Sequence, residues 1–190
     1  VIFLKNLRTA VGNYFLHKEV TKKNYERTIL NIKEASTVGI VFSSTTAEEV
    51  DLVKKYSSYL KEMEKKVKVL GYISAKQTDD NTSWWPDQSY ITRKKINWFF
   101  KPENDFIHSF VEEGFDMLID LNVQGELPLL FVTAAAKARC KVGRYSEEHK
   151  DLYDVMIETD ETKSLKYFLR NVDTYMYSLG KDKNVQTINY

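Results

Sequence analysis

Apolar residues in this chain gather in short unbroken runs, and between the runs they recur every three or four positions. The clearest runs are TVGIVFS (37–43), VKVLGYIS (67–74) and FDMLIDLN (115–122). Each is apolar at nearly every position, as expected of a strand covered on both faces. RCKVGRY (139–145) and YDVMIET (153–159) read as two shorter strands. YITRKKINWFF (90–100) reads as a further strand whose lysines keep it near the sheet edge, with Trp98 assigned to the core.

The intervening stretches carry helical signals. Leu4, Leu7, Val11, Tyr14 and Phe15 predict an amphipathic leader helix over 1–16, and the period is unclear from Val20 to Ala35. After the first strand, SSTTAEEV (43–50) has capping-box spacing at Thr45/Glu48 and Thr46/Glu49. Val50, Val53, Ser57 and Leu60 continue that helix on one face. KPENDFIHSFVEEG (101–114) is a helix with Asn104 as its cap and Gly114 just past its end. ELPLLFVTAAAKA (126–138) places Pro128 in a first turn and offers Ala134, Ala135 and Ala138 as a close-packing face. The last helix carries Leu165, Phe168, Leu169, Val172, Met176 and Leu179 and ends at Gly180.

Alternating strands and helices predict an α/β fold, a three-layer Rossmann-like domain with a mostly parallel sheet of five or six strands and an appended N-terminal helix. The three longest runs are expected side by side at the sheet centre, with 37–43 between the other two. The organisation expected is a basic amphipathic helix and connector (1–35), the α/β domain (36–180) and a frayed tail (181–190). Right-handed crossovers put all strand carboxyl ends on one edge, where a ligand binds if there is one.

Charge changes this picture at the leader. The formal net charge is only +1, yet residues 1–33 hold seven Lys/Arg against Glu19 and Glu26. Such a leader suits an anionic surface, or a helix docked on the body with its charges in solvent. The reading takes the docked helix and no nucleic acid. Residues 1–16 stay open as a contact for a membrane, for a protein partner or for a second copy in a homodimer. No window is apolar enough to span a bilayer, and a single cysteine, Cys140, points to the cytoplasm.

The segments IKEASTVGIVFS, VKVLGYIS, INWFFKP, FDMLIDLN, AAAKARCKVGRY and YDVMIE, in that order, resemble an uncharacterised family of small bacterial α/β proteins of unknown function. The resemblance implies the fold and no activity. A local likeness of FDMLIDL and LPLLFVTAAAKARCKVGRY is to the N-terminal domain of heptosyltransferase-type glycosyltransferases. Those enzymes bind their donor mainly in a second domain, for which this chain is too short.

Candidate chemistry follows from the sheet edge. Ser43, Ser44, Thr45 and Thr46 join hydroxyls to the free amides of a helix start, a combination that binds anions and also serves as plain capping. Asp120 and Asn122 end a strand where they could contact a sugar or ribose, or hold a metal with Glu126; turn and cap roles are the favoured reading, with Asp120 primarily structural. Arg144 offers a bidentate fork to a phosphate. Trp84 and Trp85 stand in a polar loop (75–89) as a partner anchor, a sugar platform or a folded-back satellite core. No glycine-rich phosphate loop and no nucleophile elbow occur, and His17, His108 and His149 are scattered. One Cys and three distant His give no zinc spacing, so no metal and no cofactor is assigned.

The reading is therefore of an uncharacterised bacterial cytoplasmic protein, a non-catalytic or small-ligand-binding module whose ligand is an anionic small molecule. The alternatives are an enzyme acting on a nucleotide or sugar, and a peripheral-membrane or complex subunit that uses the leader.

Overall fold

The computed structural model describes residues 2–22, 26–43, 46–73, 90–160 and 164–179. Its strands are β1 (Thr37–Ser43), β2 (Lys66–Ile73), β3 (Tyr90–Thr92), β4 (Phe115–Leu121), β5 (Ala138–Arg144) and β6 (Val155–Ile157). Its helices are α1 (Ile2–Thr21), α2 (Ala47–Glu62), α3 (Asp105–Glu112), α4 (Leu127–Ala135) and α5 (Leu165–Ser178). The strands form one sheet in the order β3-β2-β1-β4-β5-β6, every neighbouring pair parallel. As expected, β1 lies between β2 and β4, and β3 is at the edge. The order reverses between β1 and β4, which opens a crevice at their carboxyl ends.

Alternation along the strands builds the two faces. Val38, Ile40 and Phe42 of β1 join Val53 and Leu60 of α2 and Phe168 and Val172 of α5. Val41, Leu70 and Leu118 face the other way, onto Phe110 of α3 and Leu129 and Val132 of α4. Each such side chain, once fully buried, contributes about 1.5–3 kcal/mol relative to exposure. The result is three layers, a Rossmann-like α/β sandwich with an N-terminal helix added outside α4.

Local signals set the element ends. Thr46 caps α2 by accepting from the Glu49 amide at 3.3 Å, and Asn104 caps α3 by accepting from the Ile107 amide at 2.8 Å. Gly114, at φ +77°, takes the left-handed turn that frees the chain from α3 into β4. At the amino edge, Asp116 Oδ2 accepts from the amides of Ser36 (2.9 Å) and Thr37 (3.0 Å), and the Thr37 hydroxyl accepts from the Asp116 amide (2.8 Å). That exchange locks the register of β1 against β4.

The structure corrects three expectations. The leader helix runs on to Thr21, and its inward face is not the anticipated stripe: Gly12 and Leu16 are buried, whereas Leu4 and Leu7 are 59% and 43% exposed. The helix docks where its backbone can come closest. A Cβ on Gly12 would lie 2.6 Å from Leu127 Cδ2 and 2.8 Å from the Phe99 carbonyl oxygen, so only glycine fits. Phe15, at the border, stacks on Phe99 at 4.6 Å. Second, Trp98 is 52% exposed rather than core, because Phe99 and Ile96 take the inward places of that turn. Third, Ala138 starts β5 instead of extending α4, which ends at Ala135. The 26–35 segment, of no clear period, is held by backbone: the Thr28 amide donates to Arg139 O (2.8 Å) and the Ile32 amide to Met176 O (3.0 Å).

Candidate functional site

Register brings three positions into one row at the carboxyl edge. Ser43 is paired with Tyr72, and Asn122 follows Leu121, the partner of Phe42, so Tyr72 near the end of β2, Ser43 at the end of β1 and Asn122 just past β4 stand at the same level. Tyr72 packs with Val41 and Leu70 on the α4 side, and alternation turns Ser43 to that side too. Ser43 is 4% exposed, and its hydroxyl has no hydrogen-bond partner among the described residues. A buried hydroxyl left open in this way costs about 1–3 kcal/mol, so its persistence asks for a reason.

The other predicted residues are placed as follows. Asp120 is 2% exposed and its carboxylate is fully engaged: Oδ1 accepts from the Asn122 amide (2.8 Å), and Oδ2 accepts from the hydroxyls of Thr133 (2.8 Å) and Tyr153 (2.8 Å). Burial raises its pKa to about 6, against the pull of those donors and of the Lys141 charge. Asn122 closes the turn into α4 by accepting from the Glu126 amide (2.9 Å) and donating to the Glu126 carbonyl (3.0 Å). Asp120, Asn122 and Glu126 thus share a turn without converging on a common point. Arg144 extends from β5 to donate to Val123 O at 2.9 Å and, more weakly, to Thr159 O at 3.5 Å. Thr46 is occupied as a helix cap, and Ser44, Thr45, Trp84 and Trp85 lie outside the described residues. Cys140 is buried in the core beside α5, and burial pushes its thiol up.

Lys141 belongs to the Asp120 network. It is 3% exposed and donates to the carbonyls of Thr133 (2.6 Å) and Ala134 (3.2 Å) in the last turn of α4. Tyr153 reaches Asp120 by crossing over Gly143, where a Cβ would lie 2.3 Å from its ring. The sequence held a signal for this network: a lysine between Cys140 and Val142 in a covered strand needs a buried countercharge. The aspartate in the neighbouring strand supplies it.

A cleft of about 660 Å³ opens beside the Tyr72 end of the row. Its walls are Lys5 and Arg8 from α1, Tyr72 from β2, Arg93 just after β3, and the Gly125–Pro128 entry to α4. Burial and then the Glu126 charge raise the Tyr72 pKa, against the pull of the nearby Arg93 side chain. Burial likewise raises Glu126, opposed by the charges of Arg93 and Lys5. The four side chains therefore sense one another across a single space. Arg8 is fixed by donation to Trp98 O (2.6 Å) and by lying 4.4 Å over the Phe100 ring. Glu126 makes no side-chain cap for α4, whose positive end points into the cleft. Three cations and a helix start face one carboxylate, an excess that favours an anion. In a second cleft of about 570 Å³, between α1, α3 and α4, Lys101 pairs with Glu19 at 3.1 Å and Asn104 caps α3.

Residues 8–179 match a family described as "Family of unknown function (DUF6913)". The chain belongs to that family. The match takes in the whole sheet and most of α1, and every residue named on the cleft wall except Lys5 lies within it. No curated protein and no solved structure matches the chain. Among the described residues, no helix is long and apolar enough to cross a membrane.

Proposed function

We propose that this member of the family binds an anionic small molecule, a phosphate ester, in the cleft at the carboxyl edge of the sheet. The observation that carries the reading is the meeting of Lys5, Arg8 and Arg93 around one space beside the switch point, with the Tyr72 hydroxyl and the α4 amino end as further donors. Guanidinium groups and helix amides match phosphate oxygens in both charge and geometry. The Ser43 hydroxyl, buried and without a hydrogen-bond partner among the described residues, stands level with Tyr72 but behind the cleft wall. The role is binding rather than turnover: Asp120 has both oxygens engaged below the surface, and Glu126 faces Arg93 and Lys5. The reading places the protein in the cytoplasm, consistent with its one cysteine being a buried free thiol.

Titration calorimetry with inorganic phosphate and glycerol 3-phosphate tests the site. Arg93→Gln is expected to weaken binding at least tenfold, since a charge-assisted pair is lost. Loss of binding on Arg144→Ala, with Arg93→Gln unchanged, would move the site to the β1–α2 turn and overturn the reading.

A further inference from the structure

The helix that walls the cleft leaves large apolar side chains uncovered on its outer side. On α1, Leu4, Leu7 and Tyr14 are 59%, 43% and 57% exposed, and Trp98, held beside α1 by the Arg8 bond to its carbonyl, is 52% exposed. Large apolar side chains singly exposed are ordinary, but Leu4, Leu7 and Tyr14 share the uncovered side of α1, the helix whose Lys5 and Arg8 wall the cleft. The charge around them is lopsided. Residues 2–22 and 90–101 together carry Lys5, Arg8, Lys18, Lys22, Arg93, Lys94, Lys95 and Lys101, with Glu19 as the only carboxylate of the two segments, on a chain whose net charge is +1. Lys5, Arg93 and Lys94 are exposed.

We infer that this face docks on an anionic lipid surface, with the cleft taking a lipid headgroup phosphate. The inference rests on the anion-binding reading above and names the source of the phosphate. A helix that rests on lipid needs apolar side chains turned to the bilayer and nearby cations that meet the headgroups, and the outer side of α1 with the Arg93–Lys101 segment supplies both. The apolar residues that anchor such a helix are the ones α1 leaves uncovered, because Gly12 and Leu16 carry its attachment to α4. Attachment to the body and attachment to lipid therefore use different faces of one helix. Charge favours lipid over a second copy as the occupant: a face this cationic repels itself across a two-fold axis, whereas anionic headgroups neutralise it.

The test is co-sedimentation of the full chain with vesicles of phosphatidylcholine alone and of equal parts phosphatidylcholine and phosphatidylglycerol. Binding is expected only to the anionic vesicles and should weaken as salt is raised. The double variant Leu4→Gln/Leu7→Gln, on exposed positions that leave the core intact, should bind vesicles at least tenfold more weakly yet keep the parent affinity for glycerol 3-phosphate. Arg93→Gln should weaken both. Equal binding to neutral vesicles, or none to either kind, overturns the inference. In the second case a retained glycerol 3-phosphate affinity leaves the soluble-ligand reading standing. A concentration-dependent dimer that the leucine pair abolishes, without vesicle binding, would assign the face to a second copy instead.

Discussion

Asp120 is a buried acid whose chemistry departs from its surface behaviour. Its carboxyl is raised from 3.8 to about 6 because burial outweighs its three donors and the nearby Lys141. A raised acid binds its proton more tightly in the folded state, so its contribution to stability falls as pH rises from about 4 to about 6 and is level above that. The size is about 3 kcal/mol, at 1.36 kcal/mol per pH unit. Asp120→Asn removes that titration. Urea unfolding at several pH values should show the parent losing more stability than the variant across this window. An identical pH profile in the two proteins would mean that Asp120 does not titrate there. The residue was legible in the sequence as the end of a strand, but its role was not. Three of its partners, Thr133, Lys141 and Tyr153, come from separate elements that only folding brings within 2.8 Å or into its field.

Among the elements, α1 shows what periodicity records and what it leaves out. The apolar stripe over 4–15 identifies a helix, and α1 is one. Which face docks depends on the partner surface, and there Gly12 permits an approach that no other residue allows. Gly12→Ala should therefore lever α1 away from Phe99 and α4, at a cost of about 1–3 kcal/mol as in other overpacked contacts. Amide hydrogen exchange should rise across 2–21 while the central strands stay protected. The Leu4→Gln/Leu7→Gln pair should leave both stability and exchange near the parent values. Gly143→Ala makes the complementary case inside the sheet: a methyl there displaces the Tyr153 ring, unhooks its hydroxyl from Asp120, and should destabilise by a similar 1–3 kcal/mol. Thermal unfolding of the two glycine variants checks both costs.

For the molecule as a whole, the carboxyl edge of the sheet, α1 and the entry to α4 form one cationic cleft that no single element contains. A phosphate ester bound there at a hundred times its dissociation constant should stabilise the protein by roughly 2.7 kcal/mol. At about 2–4 °C per kcal/mol for a chain of this size, that is a rise of about 5–10 °C in melting temperature. Because the cleft is open to solvent, the rise should shrink as ionic strength increases from low salt to physiological levels. A salt-independent shift would point to apolar contacts rather than to Lys5, Arg8 and Arg93.

The sequence alone determined the fold class and most of its order: runs with both faces apolar become central parallel strands because no other placement covers them. Capping at Thr46 and Asn104 and the turn at Gly114 were local, and they were readable for that reason. It also placed the strand carboxyl ends on one edge, since parallel crossovers have one hand. Tertiary structure alone decided what occupies that edge. Asp120 and Asn122 are drawn into hydrogen bonds with their own scaffold, while Tyr72 and Arg93 come together with Lys5 from a distant helix. Electrostatic contact depends on distance in space, and a linear pattern of residue types carries no measure of it.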